Sequence, residues 1–344
     1  MSLLRPVVAI VGATGAVGVE MLRCLAQRQF PAAEVRLYAS ARSAGKSMVF
    51  AGRELPVQEL TVDSFAGVDI ALFSAGGSIS RTYAAHAVRA GAVVIDNSSA
   101  FRMDPQVPLV IPEINPQAAL QHAGIIANPN CSTIIAITPL WPIHRVNPIK
   151  RLIAATYQAA SGAGWAAMEE LRESTRALLN DEPFQRSVLP HNYAFNLFSH
   201  NSNIDASNGY NEEELKMVKE TQRIFADGNI RISATCVRVP VLRAHCEALN
   251  FECERPISTD EVRTLLAAAP GVRIVDDIER NYFPMPDDAS GQDDILVGRI
   301  RVDMSDPSGH SIAMFVAGDQ LLKGAALNAV QIAELLLERA TGSR

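Results

Sequence analysis

Cys131 stands in the stretch Ala127-Asn128-Pro129-Asn130-Cys131-Ser132-Thr133, ahead of an apolar run from Ile134 to Leu140. Ser132 and Thr133 supply capping oxygens, so a helix can start here. A thiol at a helix N-terminus meets the positive end of the macrodipole, which lowers its pKa and raises its thiolate fraction. That is a nucleophile's position. The plainer alternative is a small buried hydrophobe, the usual fate of a lone cysteine.

A second candidate group lies in Arg238-Val239-Pro240-Val241-Leu242-Arg243-Ala244-His245. On one regular strand Arg238 and His245 would face opposite sides, since their separation is odd. Pro240 forbids a regular central strand, and a bend there can bring both to one site. A histidine titrates near working pH and serves as an acid or base. Arg102, in Asp96-Asn97-Ser98-Ser99-Ala100-Phe101-Arg102, can clamp an oxyanion bidentately or pair with a carboxylate.

These groups need a scaffold. Val7-Val8-Ala9-Ile10-Val11 is a continuous apolar run, as in a parallel strand buried on both faces. Gly12-Ala13-Thr14-Gly15-Ala16-Val17-Gly18 follows, then a helical pattern through Val19, Leu22, Leu25 and Ala26. Strand, glycine turn and helix make a pyrophosphate cradle, here with G-x-x-G-x-x-G spacing. The second strand, Val35 to Ala39, runs into Ser40-Ala41-Arg42-Ser43-Ala44-Gly45-Lys46 without the acidic residue that favours NAD. Arg42, Ser43 and Lys46 suit a 2′-phosphate, so the expected cofactor is NADP.

Further strands are expected at Val68 to Phe73, Ala92 to Ile95, Val110 to Glu113 and Gly124 to Ala127, with a helix from Ser80 to Ala90. Residues 1–130 thus read as a Rossmann-type, doubly wound α/β domain. After Cys131 the pattern changes. A helix is expected to stop near Pro142, and Lys150 to Gln158 alternates as a strand does. A helix follows from Trp165 to Leu179. Residues 180 to 210 form a long irregular stretch, functional or an interface. Asn211 opens a helix to about Phe225, and its capping-box spacing gives Glu214 a structural role. Lys216 can pair at helical spacing with Glu212 or Glu220. Two strand-like runs fill Ile232 to Cys253, and others lie at Gly271 to Val275, Ile295 to Asp303 and His310 to Gly318. Residues 131–319 therefore read as an α+β domain with a largely antiparallel sheet. A last helix, 320–341, is expected to pack back on the first domain.

Composition narrows the function. Net charge is -6 over 344 residues, and no basic cluster suggests nucleic acid. The five cysteines, Cys24, Cys131, Cys236, Cys246 and Cys253, are odd in number and lack a C-x-x-C pair. That argues against a disulfide framework or a metal site and fits a reducing cytoplasm. No segment approaches the roughly 18 uninterrupted apolar residues of a membrane helix.

A nucleotide domain, a cysteine at the domain junction and a histidine beyond it fit thiolate chemistry on an acyl group, with the cofactor doing the redox step. The chain resembles aspartate-semialdehyde dehydrogenases along nearly its whole length. The matching pieces are GATGAVG, ASARSAGK, NSSAFR, NPNCST, YQAASGAG, NEEELK, CVRVPVLRAH and DQLLKGAA. The resemblance implies Cys131 as nucleophile, His245 as acid–base catalyst and Gln158 orienting the substrate or thioester. It implies Arg238 on the substrate carboxylate, Glu214 beside its amine, and Arg102 and Lys216 on the phosphate. Gly12, Thr14, Gly15, Ala16, Val17, Arg42, Ser43, Ser161, Gly162 and Gln320 would contact NADP.

By that likeness the reaction is the reversible NADPH-dependent reduction of L-4-aspartyl phosphate to L-aspartate 4-semialdehyde and inorganic phosphate. This step leads toward lysine, methionine and threonine. A homodimer is expected, with residues 180 to 210 resembling the branch of the family that has a helical dimer-interface subdomain. Two rivals remain: an N-acetyl-glutamyl-phosphate reductase-like enzyme, and an inactive NADP-binding sensor.

Overall fold

Val7–Val11 (β1) is apolar throughout because it runs through the middle of a sheet. The fold is that of a computed structural model describing residues 5–342. The chain forms two units. One comprises the chain up to Asn130 with Ala325 onward, and the other is Cys131–Gly324.

In the first unit β1 leads through the glycine turn into helix α1 (Ala16–Gln27) and strand β2 (Glu34–Ala39). Strands β3 (Ser47–Phe50) and β4 (Arg53–Glu59) follow, then β5 (Ile70–Phe73), helix α2 (Gly77–Arg89), β6 (Val93–Asp96) and β7 (Ile125–Ala127). The sheet order is β3-β4-β2-β1-β5-β6-β7. All pairs are parallel except β3 with β4. Strand order therefore reverses at β1, between β2 and β5, and the ends of these strands open a crevice there.

Two features depart from the sequence reading. The β3–β4 hairpin was not expected. It turns on Ala51 and Gly52, whose φ values of 47° and 79° suit the two-residue turns that match strand twist. Val110 to Glu113 is not a strand. Leu109 makes a single bridge to Ala127, and the chain, with Pro108 and Pro112 at hand, turns away at Ile111.

The glycine turn is tight for a steric reason. A Cβ on Gly18 would lie 2.2 Å from the Gly12 carbonyl oxygen and 2.8 Å from the Ala13 Cα. Gly12 has φ +86°, and a Cβ there would lie 3.0 Å from the Ala75 nitrogen. The helix thus presses directly on the turn that precedes it.

The second unit starts with α3 (Cys131–Val146), which continues through Pro139 and Pro142 rather than stopping. Its apolar residues Ile134, Ile135, Ile137, Leu140 and Ile143 are fully buried, and that packing outweighs the lost backbone bonds. Next come β8 (Ile149–Gln158), α4 (Trp165–Leu179), β9 (Phe198–Ser199), α5 (Glu212–Ile224), β10 (Arg231–Arg238) and β11 (His245–Cys253). The unit ends with α6 (Thr259–Ala267), β12 (Val272–Ile274), α7 (Pro286–Ala289), β13 (Ile295–Val302) and β14 (Ser311–Gly318). Sheet order is β12-β13-β14-β11-β8-β10-β9, antiparallel except for β12–β13 and β8–β10.

Residues 180 to 210 contain turns and β9 but no helix. Their backbone is anchored at Glu170 of α4, whose carboxylate accepts from the amides of Ser187, Val188 and Leu189. Burial alone would raise the Glu170 pKa, but those amides hold it below the usual range.

The last helix begins later than Gln320. A π turn spans Leu322–Ala326 and α8 runs Leu327–Gly342. Residues 320–324 belong to the second unit, and α8 belongs to the first. There Arg28 of α1 pairs with Glu334 at 2.7 Å, and Asn328 donates to the Val110 carbonyl and to Asn128.

Helix propensity alone favours Gly18→Ala by about 1 kcal/mol. The clash at Gly12 should reverse the sign and cost roughly 1–3 kcal/mol. Denaturant unfolding of the variant measures this; a stabilised protein would contradict the packing described.

Candidate active site

The pairing of four strands sets the key side chains. Arg238 at the end of β10 lies opposite Gln158 at the end of β8. Cys246 of β11 lies opposite Tyr157, so the next pair in the ladder sets His245 beside Gln158. His245 in turn lies opposite Gly318 of β14. Arg238, Gln158 and His245 thus form a row across strand ends, each at most 4% exposed. Arg238 and His245 do reach one site, although their strands are separated by β8.

Ala159 binds this row with its backbone. Its carbonyl accepts from Arg238 Nη1 (3.2 Å), and its amide donates to His245 Nδ1 (3.0 Å). Gly162 has no side chain because those two residues close over it. A Cβ there would lie 2.9 Å from Arg238 Nη1 and 3.0 Å from His245 Cε1.

Since Nδ1 accepts, the neutral ring carries its proton on Nε2. Nε2 is buried and meets no hydrogen-bond partner in the protein. Burial first, and then the Arg238 guanidinium, push the His245 pKa down to about 3 against an opposing pull from Glu213. The expectation that this histidine titrates near working pH is therefore corrected. It is a neutral Nε2–H donor over the whole physiological range.

A second histidine, His200, was missed in the sequence. Its Nε2 lies 2.9 Å from Arg238 Nη2. A guanidinium only donates, so Nε2 accepts; Nδ1 lies 3.1 Å from Ser202 Oγ and 3.2 Å from the Ser202 amide, which donates to it. Burial, with Arg238 and Lys216 against Glu213, lowers its pKa to about 4. Asn201 Oδ1 accepts from Arg238 Nε at 3.2 Å. No motif signalled His200 or Asn201, because an irregular stretch brings them back to β10.

Gln158 Nε2 donates to Ser132 Oγ (2.5 Å) and to Glu213 Oε1 (3.2 Å). Glu213 Oε2 pairs with Lys216 Nζ at 3.1 Å. The carboxylate at the site is therefore Glu213, not Glu214. Glu214 is committed elsewhere: its Oε2 accepts from the Asn211 amide (2.9 Å) in the capping box, and its Oε1 from the Cys236 amide (3.0 Å). Spacing held a usable signal, since Glu213 and Lys216 share a helix face at i,i+3.

Cys131 is the first residue of α3 and is partly exposed. A Cβ on Gly324 would fall 2.8 Å from Cys131 Cβ and 3.2 Å from Gln320 Cβ. Gln320 accepts from the Ala244 amide (2.9 Å) and donates to Ser161 Oγ. Cys131, Gln320, Ser161, Gly162 and His245 are thereby joined through direct neighbours. Burial pushes Cys246 and Cys253 up to about 12 and Cys236 higher still, so none of these is a nucleophile.

In the first unit, a cleft of about 480 Å³ is lined by Gly12, Thr14, Gly15, Arg42, Ser43, Ser74 and Ala75, among others. Thr14 Oγ1 donates to Ser43 Oγ (3.3 Å), tying the glycine turn to the loop after β2. Ala16 and Val17 open α1 directly after the turn. The glycine cradle, with no room for a Cβ at Gly12, fits a dinucleotide's phosphates. Arg42 is exposed at its rim, and Glu59 is the carboxylate among the lining residues. Arg102, also in this unit, is buried, with Nε on the Asn128 carbonyl (2.9 Å) and Nη2 on that of Asn97 (2.8 Å). Ser161, Gly162 and Gln320 lie in the other unit, beside His245.

Residues 7–122 match the family description "Semialdehyde dehydrogenase, NAD binding domain", and residues 140–323 match "Semialdehyde dehydrogenase, dimerisation domain". The chain belongs to the semialdehyde dehydrogenase family. A Synechocystis member named aspartate-semialdehyde dehydrogenase is 58% identical over 96% of this chain and 97% of its own. A Bacillus subtilis member of the same name is 47% identical over 96% of each chain. A crystal structure of Vibrio cholerae aspartate semialdehyde dehydrogenase II complexed with ASA superposes with TM-score 0.94 at 45% identity, covering 97% of this chain and 98% of that one. Among the described residues, no helix is long and apolar enough to cross a membrane, and no cluster of His, Cys, Asp and Glu could hold a metal ion.

His245 and His200 both have folded pKa values below their ordinary 6.5. Protonation therefore favours the unfolded chain. Their stability contribution is complete above about pH 6.5 and falls as pH drops toward 4, by up to about 1.4 kcal/mol per pH unit for each. Denaturation midpoints between pH 7 and 4.5 should show that slope, and His245→Gln should flatten it. An unchanged slope would refute the neutral assignment.

Proposed function

We propose that this chain reduces L-4-aspartyl phosphate to L-aspartate 4-semialdehyde and phosphate, reversibly, through an acyl-thioester on Cys131. The observation that carries the reading is the meeting of Cys131's neighbours with Arg238, Gln158 and His245 at one strand end. The Cys131 thiolate attacks the acyl carbon, the carbon–oxygen bond to phosphate breaks, and phosphate leaves with that electron pair. NADPH, when bound, supplies the reducing equivalents. Gly12, Thr14, Gly15, Ala16 and Val17 would hold its pyrophosphate, Arg42 and Ser43 its 2′-phosphate, and Ser161, Gly162 and Gln320 its reactive end.

The remaining work falls to the protein. The unpartnered Nε2–H of His245 donates to the substrate's carbonyl oxygen and stabilises charge as it forms. When the carbonyl re-forms as the aldehyde, the Cys131 thiolate leaves with the carbon–sulfur electron pair, and the Nε2–H keeps its proton while its hydrogen bond to the oxygen weakens. Arg238 holds the substrate α-carboxylate, pre-aimed by Ala159, His200 and Asn201. Glu213 receives the α-ammonium, a role the sequence reading gave to Glu214. Gln158 orients the acyl group, and Lys216 is its unit's phosphate-binding residue, as Arg102 is in the first unit. A buried carboxylate opposite an arginine suits a free amino acid rather than an N-acylated one, which disfavours the N-acetyl-glutamyl-phosphate alternative.

The chain works as a homodimer in the cytoplasm on this reading. Leu179, Phe184, Phe195, Leu197 and Ile204 are exposed apolar residues clustered in sequence around 180 to 210, and such surface suits a subunit contact.

Assays with aspartate semialdehyde, NADP and phosphate should show phosphate-dependent NADP reduction that Cys131→Ser lowers by roughly 10³-fold or more. Turnover without phosphate, or preference for an N-acetylated substrate, would overturn the assignment. The two glutamates give an independent check. Glu213→Gln should raise the KM for aspartate semialdehyde by about tenfold or more. Glu214→Gln should leave KM alone and cost about 1 kcal/mol of stability through the lost cap. The opposite pattern would return the amine role to Glu214.

A further inference from the structure

The chain enters β11 through a strained residue. Ala244, directly before His245, has a φ of 70°. Glycine takes such a conformation freely, whereas an alanine meets a steric penalty there. The other non-glycine residues at positive φ among the described residues, from Gln29 to Arg299, are all exposed. Ala244 is fully buried, in a core cluster with Cys246, Ala289, Leu296 and Ala317. Strain of this kind persists only where the surroundings over-determine it.

The residue that over-determines it is Asp319, which follows the Gly318 paired with His245. The Asp319 side chain is wholly buried. Its Oδ2 accepts from Arg243 Nε (2.7 Å) and from the Gly291 amide (2.6 Å). Its Oδ1 accepts from the amides of Leu321 (2.9 Å) and Leu322 (3.3 Å). One carboxylate thus ties the residue before Ala244 to the end of α7 and to the turn after β14. Gln320, next in sequence, accepts from the Ala244 amide at 2.9 Å. Arg243 and Ala244 are therefore pinned to two consecutive residues, and the backbone between them is not free to rotate and relieve the strain. A charge-assisted bond from a guanidinium to a buried, fully bonded carboxylate is a stiff tether.

We propose that Asp319 is a positioning residue for His245. It clamps Arg243, keeps Ala244 at positive φ, and so fixes the angle at which His245 meets the Ala159 amide. Asp319 itself touches no substrate. The inference rests on the function proposed above for its catalytic consequence, since His245 is what the clamp would position.

The test uses the full-length chain. Asp319→Asn keeps the shape and removes the charge that holds Arg243. Ala244 then turns toward negative φ and carries His245 off the amide. With aspartate semialdehyde, NADP and phosphate, kcat should fall about tenfold or more while KM stays within about threefold. Adding Ala244→Gly should restore kcat to within about threefold of wild type, because glycine holds positive φ without a clamp. Ala244→Gly alone should change kcat by less than about threefold. A merely structural Asp319 would lower the melting temperature or active fraction, and Ala244→Gly would not bring kcat back. Nitrogen NMR of the histidine rings gives a readout that needs no turnover. The His245 signals, assigned by their loss in His245→Gln, should show one neutral tautomer with Nδ1 unprotonated in wild type. Both tautomers should appear in Asp319→Asn, and Ala244→Gly should restore the single one.

An unchanged kcat or an unchanged tautomer in Asp319→Asn, or a double variant no better than Asp319→Asn, overturns the proposal. Should Asp319→Asn fail to fold, Arg243→Ala cuts the same bond from its more exposed partner, and rescue by Ala244→Gly decides there. A wild type that lacks phosphate-dependent turnover refutes the proposed function instead, and the tautomer still decides whether Asp319 positions the ring.

Discussion

One peptide unit organises the chemistry of this protein. Where β8 ends, Ala159 donates its amide to His245 Nδ1 and accepts Arg238 Nη1 on its carbonyl. A backbone group cannot change rotamer or protonation state, so it holds a histidine tautomer more firmly than a side chain would. The amide forces the ring proton onto Nε2, and the carbonyl fixes the plane of the guanidinium. Gly162, three residues on, has to be bare so that both side chains can lie this close to the chain. The antiparallel pairing of β11 with β8 and the parallel pairing of β10 with β8 deliver the two residues from opposite directions in sequence to one strand end.

That arrangement sets the electrostatics. Beside a buried guanidinium, neither His245 nor His200 is stable as a cation, and His245 takes the tautomer that the Ala159 amide demands. The anion paired with Lys216 is Glu213, carried on α5. The neighbouring Glu214 points the other way, into the capping box and the Cys236 amide, because adjacent helical residues differ by about 100° in direction. One helix N-terminus thus supplies a capping carboxylate and one that faces Gln158 and Lys216 from consecutive positions.

Much of this was legible in the residues. The apolar run, glycine turn and helix of residues 7–27 have a local cause, close packing at Gly12 and Gly18, and local causes survive in sequence. The same holds for the capped helix after Asn211 and for α4, whose boundaries coincide with expectation. What failed depended on distant partners. Pro139 and Pro142 argue for a break, yet α3 runs through both because the core buries Ser132 to Leu140 and Ile143. The Ala51-Gly52 hairpin lacks an Asn-Gly signal, and Val110 to Glu113 has strand composition without room for a ladder. His200 and Asn201 reach Arg238 from an irregular stretch with no periodicity to read. The pKa of His245 is set by burial, and burial belongs to the fold rather than to the tripeptide.

The thiols show how the fold discriminates among like groups. Cys236, Cys246 and Cys253 sit on interior strands where burial keeps them protonated, so they behave as small apolar residues. Cys131 differs in placement alone: it opens a helix, keeps some exposure and adjoins a turn whose Gly324 leaves room for it. A helix terminus and access both favour an ionised sulfur, and of these four thiols Cys131 is the one that has both. The same sheet that buries the inert cysteines presents Gln158, Arg238 and His245 at its strand ends. One topology therefore both buries three thiols and leaves Cys131 accessible beside that row.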